Sequence, residues 1–302
     1  MKNKRNIIII AIALLLIVGI CTAIIIINFN KKDSNINVGT SSTLNTKYYI
    51  SSTDYEDKEK SLVYDKEINY KELNNNSTYY EISNGQRSIT HNVGDEIKVP
   101  YINLKSDFIK EVNNKIDKDL EVYYDKLIDY VKVGEEMPNS FMSRISIYYS
   151  TSQTNNILSL YIYISDSNSK NASVKYLTYT IDLENNSYVD SNNVISIANT
   201  NKETITSSVE DYLNEFYAKF ETEDYATYYT KDAIEKDKQK TLNRFKEDLE
   251  NNKLNCSISL DKGNYKSCIS IFIPVYTINT GSYIYERQIN IYFDQDNNII
   301  KK

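Results

Sequence analysis

Apolar positions along the chain follow three different patterns. Residues 7–27 (IIIIAIALLLIVGICTAIIII) form one uncharged run, which predicts a helix long enough to cross a hydrocarbon core of about 30 Å. Residues 28–47 are rich in Asn, Ser and Thr with no apolar period, which predicts a flexible stalk. From Tyr48 onward the apolar period alternates between two and about 3.6 residues.

Short strand-like runs come first, in SLVYDKEINY, STYYEIS, RSIT and EIKVPYI. Leu104, Phe108, Val112, Ile116, Leu120, Tyr123, Leu127 and Tyr130 then recur at three- and four-residue spacing. This predicts a helix with one apolar stripe, capped by Ser106 and stopped at Gly134. Three alternating strands follow, RISIYYS, ILSLYIYIS and YLTYTIDL, and their polar connections suit consecutive antiparallel pairing. In the middle strand Leu158, Leu160, Ile162 and Ile164 share one face, with Tyr161 and Tyr163 on the reverse.

A second round begins near Asn192. Thr200 with Glu203 and Asp232 with Glu235 read as capping boxes that open two helices. Between them FETEDYATYYTKD reads as an acidic loop, and from Leu254 the period returns to two. The pattern predicts an α+β protein: an N-terminal transmembrane helix, then two small units of antiparallel strands with helices packed on one face. The expected organisation is a cytoplasmic stub at 1–6, the membrane helix at 7–27, a stalk at 28–47, and α+β domains at 48–191 and 192–302.

Lys2, Lys4 and Arg5 precede the apolar run, which favours a cytoplasmic N-terminus and an extracellular remainder on a single-pass membrane protein. A signal peptide would have a shorter apolar region ending in small residues, whereas this run closes on Ala23 and four isoleucines. Without those three basic residues, Lys and Arg fall from 35 to 32 against 41 acidic residues, a formal charge of −9 outside. Nucleic acid is therefore not an expected partner. Basic proteins would be attracted over a Debye length of about 8–10 Å, although solubility alone also accounts for the charge.

Composition excludes much enzymology. His91 is the only histidine, so no metal site can rest on two or three of them, and no glycine-rich phosphate loop occurs. No nucleophile–base–orienter set is visible, and no enzyme activity, cofactor or metal is expected. Asn occurs 37 times and Tyr 28 times, with no Trp. Asn, Lys, Ile and Tyr all have AT-rich codons, so the tyrosines alone carry little weight as a sugar-stacking platform. The N-x-S/T triplets at Asn75, Asn76, Asn171, Asn185 and Asn255 are equally expected by chance.

Cys256 and Cys268 are candidates for a disulfide in an oxidising compartment. A three-residue loop at Asp261, Lys262 and Gly263 would set them opposite each other. The apolar alternation, with Leu254, Ile258 and Leu260 facing Ile269, Ile271 and Ile273, instead turns them to opposite faces. The sequence leaves both registers open.

VPYINLKSDFIKEVNNKID resembles the Tyr-Pro-x-Ile … Asn-x-x-Ile-Asn signature of an extracellular domain family named for its place beside peptidoglycan deacetylases of the PdaC type. Pro100, Tyr101, Ile102, Val112, Asn113, Ile116 and Asp117 stand at the matching positions, with Asp117 where the family often has Asn. ILSLYIYIS and YLTYTIDLENNSYV are similar to its core strands. Asp182 and Leu183 stand at an Asp-Leu-x-x-Gly corner, and Asn186 replaces the glycine, a residue that also tolerates positive φ. Residues 192–293 resemble the domain of unknown function that often follows. Together the two domains form the ectodomain of lysozyme-sensing anti-sigma factors of the RsiV type.

The resemblance covers 48–293 and implies the sensing or binding half of such proteins. Residues 1–6 offer no sigma-holding domain, and a chain with one His lacks the deacetylase metal site, so no catalytic residue carries over. The expected function is thus that of a membrane-anchored extracellular ligand-binding protein of the bacterial cell envelope, a lysozyme-binding decoy, inhibitor or co-receptor. Acids expected in loops, Glu135, Glu136, Glu221, Glu223 and Asp224, are its candidate contacts to a basic ligand. The alternative is a cell-wall or envelope scaffold that binds peptidoglycan or a partner protein through its tyrosine-bearing strands.

Overall fold

A computed structural model describes residues 50–68, 79–83, 88–92, 94–136, 143–167, 172–221, 230–262, 265–276 and 285–300. The predicted stub, membrane helix and stalk at 1–47 lie outside them, and no helix among the described residues is long and apolar enough to cross a membrane. The described residues belong to one compact unit, Asn45–Lys302.

Five short strands lead the unit: β1 (Val63–Lys66), β2 (Tyr79–Ser83), β3 (Ser88–Asn92), β4 (Gly94–Ile97) and β5 (Val99–Ile102). Helix α1 (Asp107–Glu136) follows, then the meander β6 (Arg144–Thr154), β7 (Ile157–Ser167) and β8 (Ala172–Asp182), and the two-residue β9 (Ser187–Tyr188). Three helices come next, α2 (Ser191–Ile197), α3 (Lys202–Ala218) and α4 (Lys231–Glu250), and a second meander closes the chain, β10 (Cys256–Lys262), β11 (Tyr265–Val275) and β12 (Tyr285–Phe293). The described residues form an α+β fold with a mixed sheet and four α-helices.

The two meanders share one sheet, in the order β10-β11-β12-β8-β7-β6-β4 with β9 on β8. Within each meander the pairs are antiparallel, as the short polar connections require. Where the meanders meet, β12 runs parallel to β8 at Tyr285 and Val174, and β4 runs parallel to β6. Purely antiparallel pairing is thus corrected to a mixed sheet, since these contacts join strands that no hairpin connects. β1 with β5 and β2 with β3 form separate two-stranded ribbons.

The predicted faces are present. Leu158, Leu160, Ile162 and Ile164 of β7 are buried with Ile145, Ile147, Tyr179 and Ile181 beneath Val112, Ile116, Leu120 and Leu127 of α1. A second cluster joins Ile205, Val209 and Leu213 of α3 and Phe245 and Leu249 of α4 to Ile269, Ile271, Ile289 and Ile291. Alternation sets which face of each strand is buried, and the helices cover that face.

Ser106 caps α1 as expected, accepting from Ile109 N at 3.1 Å. The helix does not stop at Gly134; it continues to Glu136. A glycine inside a helix costs only about 1 kcal/mol relative to Ala, and Pro138 disfavours helical geometry at the residue before it. Glu135 and Glu136 are therefore helical, not in a loop. α3 is capped by Asn201, whose side chain accepts from Thr204 N at 2.8 Å, and α4 by Thr230, which accepts from Ala233 N. Both caps differ from the predicted boxes. At α3, Glu203 moves into the first turn, where a carboxylate favours the helix dipole. The short α2, capped by Asp190 through Asn193 N, has too few residues to show a period.

Candidate functional site

The reverse face of the first meander is where the structure departs most from a solvent-exposed tyrosine surface. Phe272 of β11 stacks on Tyr176 of β8 at 4.4 Å between ring centroids and lies 5.1 Å from Tyr161 of β7. Ile258 N of β10 donates to Ser159 Oγ of β7 at 3.0 Å, and Ser159 Oγ lies 2.9 Å from Thr180 Oγ1. β10 and β7 are four places apart in the strand order, so the sheet curls until its second meander covers the reverse face of its first. Tyr161 and Tyr176 are used inside the protein. Tyr148 and Tyr163, 6.0 Å apart, remain half-buried beside them.

The curl leaves a gap along β8. On its outer edge β8 pairs with β12 at Val174 and with β9 at Ile181 and Asp182. Val189 N also donates to Thr180 O at 2.8 Å, and between Val174 and Thr180, among the described residues, side chains replace a strand at Tyr176. Tyr176 N donates to Glu286 Oε2 at 2.6 Å, and Tyr176 O accepts from Asn255 Nδ2 at 2.9 Å. Thr178 Oγ1 donates to Asn255 Oδ1 at 2.5 Å. Burial pushes the Glu286 carboxyl above its ordinary value, against the pull of the Tyr176 N–H and the Lys175 ammonium.

This edge floors an open groove of about 460 Å³, walled by α1, the turn from β9 into α2, and the segment leading into β10. On the α1 side Asp119 Oδ2 accepts from Lys115 Nζ at 2.7 Å and from Tyr179 Oη at 2.8 Å. Desolvation and then Asp119 raise the Tyr179 phenol well above its ordinary value. Tyr188 stands on the rim, 49% exposed, with Phe108 edge-on at 5.4 Å. Burial and then the charges of Asp119 and Glu111 raise its phenol too. A separate hollow of about 480 Å³ at the start of α1 is lined by Glu56, Ser106 and Lys110 among others, and there Ser106 is already engaged as the cap.

Side chains of α1 also tie the first strands to the helix. The Asn113 side chain accepts from Ile102 N at 2.9 Å and donates to Ile102 O at 3.0 Å, so it acts as a strand partner that ties β5 to α1. Lys66 pairs with Asp117 on the same helix. At the corner after β8, Asp182 accepts from Glu184 N, Asn185 N and Asn156 Nδ2. Desolvation of its carboxyl is outweighed by these bonds, Asn185 N first, and its pKa is lowered. Asn186 has φ of 50°, in the left-handed region that Asn tolerates better than most non-glycine residues.

Other predicted site residues are dispersed. Glu135 and Glu136 end α1, Glu221 is exposed at the end of the 3-10 turn after α3, and Glu223 and Asp224 lie outside the described residues. His91 lies in β3, opposite Tyr80. The disulfide between Cys256 and Cys268 does not form. Cys256 pairs across the hairpin with Ile271, and Cys268 with Ser259, which puts the two thiols on opposite faces, both buried. Lys262 pairs with Tyr265, so the predicted three-residue loop is also corrected; the apolar alternation set the register. Burial raises the Cys256 thiol to about 12. Among the described residues no group of three His, Cys, Asp or Glu side chains is placed to hold a metal. The groove residues were not legible in the sequence, because Lys115, Tyr188, Asn255 and Glu286 come from segments that share no motif.

No protein-family model and no curated protein matches the chain.

Proposed function

We propose that the chain is a membrane-anchored extracellular ligand-binding protein of the cell envelope, and that its ligand is a basic, lysozyme-like protein. The observation that carries this reading is the acid-rich outer side of α1. That helix holds nine acidic residues against five basic ones. Glu121, Asp125 and Asp129 are exposed at four-residue spacing. A surface of this kind speeds encounter with a basic partner and selects against acidic ones. The resemblance of 48–293 to the ectodomain of lysozyme-sensing proteins supports the same reading, in which 48–191 and 192–302 are two α+β domains with their helices on one face of the strands. Residues 7–27 are then the single membrane anchor, with the N-terminus in the cytoplasm.

The test is interferometry of Asn45–Lys302 against a C-type lysozyme at low and physiological salt. The reading expects submicromolar binding that weakens as salt rises, and a loss of at least about tenfold when Glu121, Asp125 and Asp129 are changed to Lys. Absence of binding at low salt, or full affinity in the charge-reversed variant, would reject it. Retention of the same fragment on insoluble peptidoglycan without lysozyme binding would favour the scaffold reading.

A further inference from the structure

We infer that the groove beside β8 binds a neutral carbohydrate segment of one or two sugar units, at a site separate from the acidic side of α1. Its volume of about 460 Å³ falls within the range of small-ligand sites, roughly 300–1,000 Å³. The charges on its lining balance, with Lys115, Lys175 and Lys253 against Asp119, Asp190 and Glu286. A groove so lined steers neither a cation nor an anion, yet it is dense in hydrogen-bonding groups. That combination suits a ligand that is uncharged and rich in hydroxyls.

Two further features give the site direction. Tyr188 offers a half-exposed ring whose orientation is held by Phe108, and a tyrosine ring combines an apolar face with a polar tip. Beside it, the bonds from Lys115 and Tyr179 both fall on Asp119 Oδ2, so Asp119 Oδ1 has no partner among the described residues. A fixed carboxylate next to an ammonium supplies an acceptor and a donor for neighbouring hydroxyls, and charge-assisted bonds of this kind are the stronger ones. The C–H face of a pyranose can lie on Tyr188 while its hydroxyls reach the Asp119–Lys115 pair. An extended peptide suits the groove less well. It would need the open edge of β8, where Glu286 and Asn255 already occupy both backbone groups of Tyr176.

The experiment is an amide-shift titration of ¹⁵N-labelled Asn45–Lys302 with chitotriose, cellotriose and maltotriose, each at two salt concentrations. At least one sugar should give saturable shifts confined to residues 176–180, 188–191 and 252–256, and they should not change with salt. Tyr188→Ala and Asp119→Asn should each weaken binding about tenfold. Tyr188→Ala should leave the melting temperature within a few degrees of wild type, since the ring is half in solvent. No saturable shift with any of the three sugars, shifts centred elsewhere, or undiminished binding by Tyr188→Ala would overturn the inference. If Asp119→Asn disturbs folding, the wild-type shift map and Tyr188→Ala decide the matter alone. No lysozyme enters this titration and no acid on the outer side of α1 is altered, so its failure is distinguishable from failure of the proposed protein ligand.

Discussion

Glu286 Oε2 accepts from Tyr176 N at 2.6 Å, the place on the edge of β8 where a neighbouring strand would otherwise supply a carbonyl. A half-buried carboxylate therefore completes a backbone ladder, and desolvation holds its pKa above the ordinary 4.5. A carboxyl raised in the folded state stabilises the fold fully while protonated, below its unfolded pKa. That contribution declines as pH rises through the folded value. Glu286→Gln keeps an acceptor oxygen and removes the charge. Its melting temperature should exceed wild type at pH 7, and the difference should vanish near pH 4. Asp182 and Asp190, both lowered, act in the opposite sense: their stabilisation is present above the ordinary 3.8 and is lost as pH falls. Thermal melts from pH 3 to 8 separate the two contributions, and a Gln variant less stable than wild type at pH 7 would contradict the assignment.

The stack of Tyr176 on Phe272 ties the two meanders together across the curl of the sheet. Phe272→Ala should cost about 3–5 kcal/mol, the usual range for a buried phenylalanine. A double-mutant cycle with Tyr176→Ala should show a coupling of about 0.5–1.5 kcal/mol. Urea denaturation measures both, and strict additivity would show that the ring contact contributes nothing of its own.

Cys256 and Cys268 should remain thiols even in an oxidising medium. The intact mass of Asn45–Lys302 should be unchanged by reductant. With its thiol raised to about 12 by burial, Cys256 should react with a thiol reagent at pH 8 only once denaturant is added. A mass gain of two hydrogens on reduction would overturn the hairpin register.

Asn113 satisfies both backbone groups of Ile102 from the middle of α1. Asn113→Leu leaves a buried N–H and a buried C=O without partners, at about 1–3 kcal/mol each. The variant should therefore lose on the order of 2–6 kcal/mol, whereas Asn113→Asp keeps the acceptor for Ile102 N. The Asp variant should lose less at pH 3, where a protonated carboxyl can donate to Ile102 O, than at pH 7, where two acceptor oxygens would face each other. Chemical denaturation of the two variants checks the order.

Local patterning, on its own, determined the three long helices, the strands of the two meanders with their core-facing rows, and the stripe of α1. These depend on period and on which side chains avoid water, both written residue by residue. Leu158 to Ile164 form one apolar row of their strand and Val112 to Leu127 one apolar stripe of α1, both readable from period alone, and the two pack together. The odd hairpin register was likewise present in the alternation around Cys256, because a slip of one residue would have turned an apolar row to the wrong face. Local rules were less decisive where alternatives differ by about 1 kcal/mol, as at Gly134 inside α1 and at the choice of Asn201 over Thr200 as a cap.

Only the tertiary structure decided how the meanders join. The parallel contact of β12 with β8 links residues 111 positions apart, Val174 and Tyr285, and no local period encodes such a pairing. The curl that follows packs Tyr161 and Tyr176 against Phe272, where alternation alone placed Tyr161 on the reverse face without a partner. The same curl strands the edge of β8, recruits Asn255 and Glu286 as its partners, and opens the groove beside Asp119 and Tyr188. Asparagine shows both sides of the division. Composition supplied many of them, and every non-glycine residue with positive φ among the described residues is an asparagine, in keeping with that side chain's tolerance of the left-handed region. Which of them would stand in for a strand, as Asn113 does on Ile102 and Asn255 on Tyr176, was set by where packing left a backbone group without a partner.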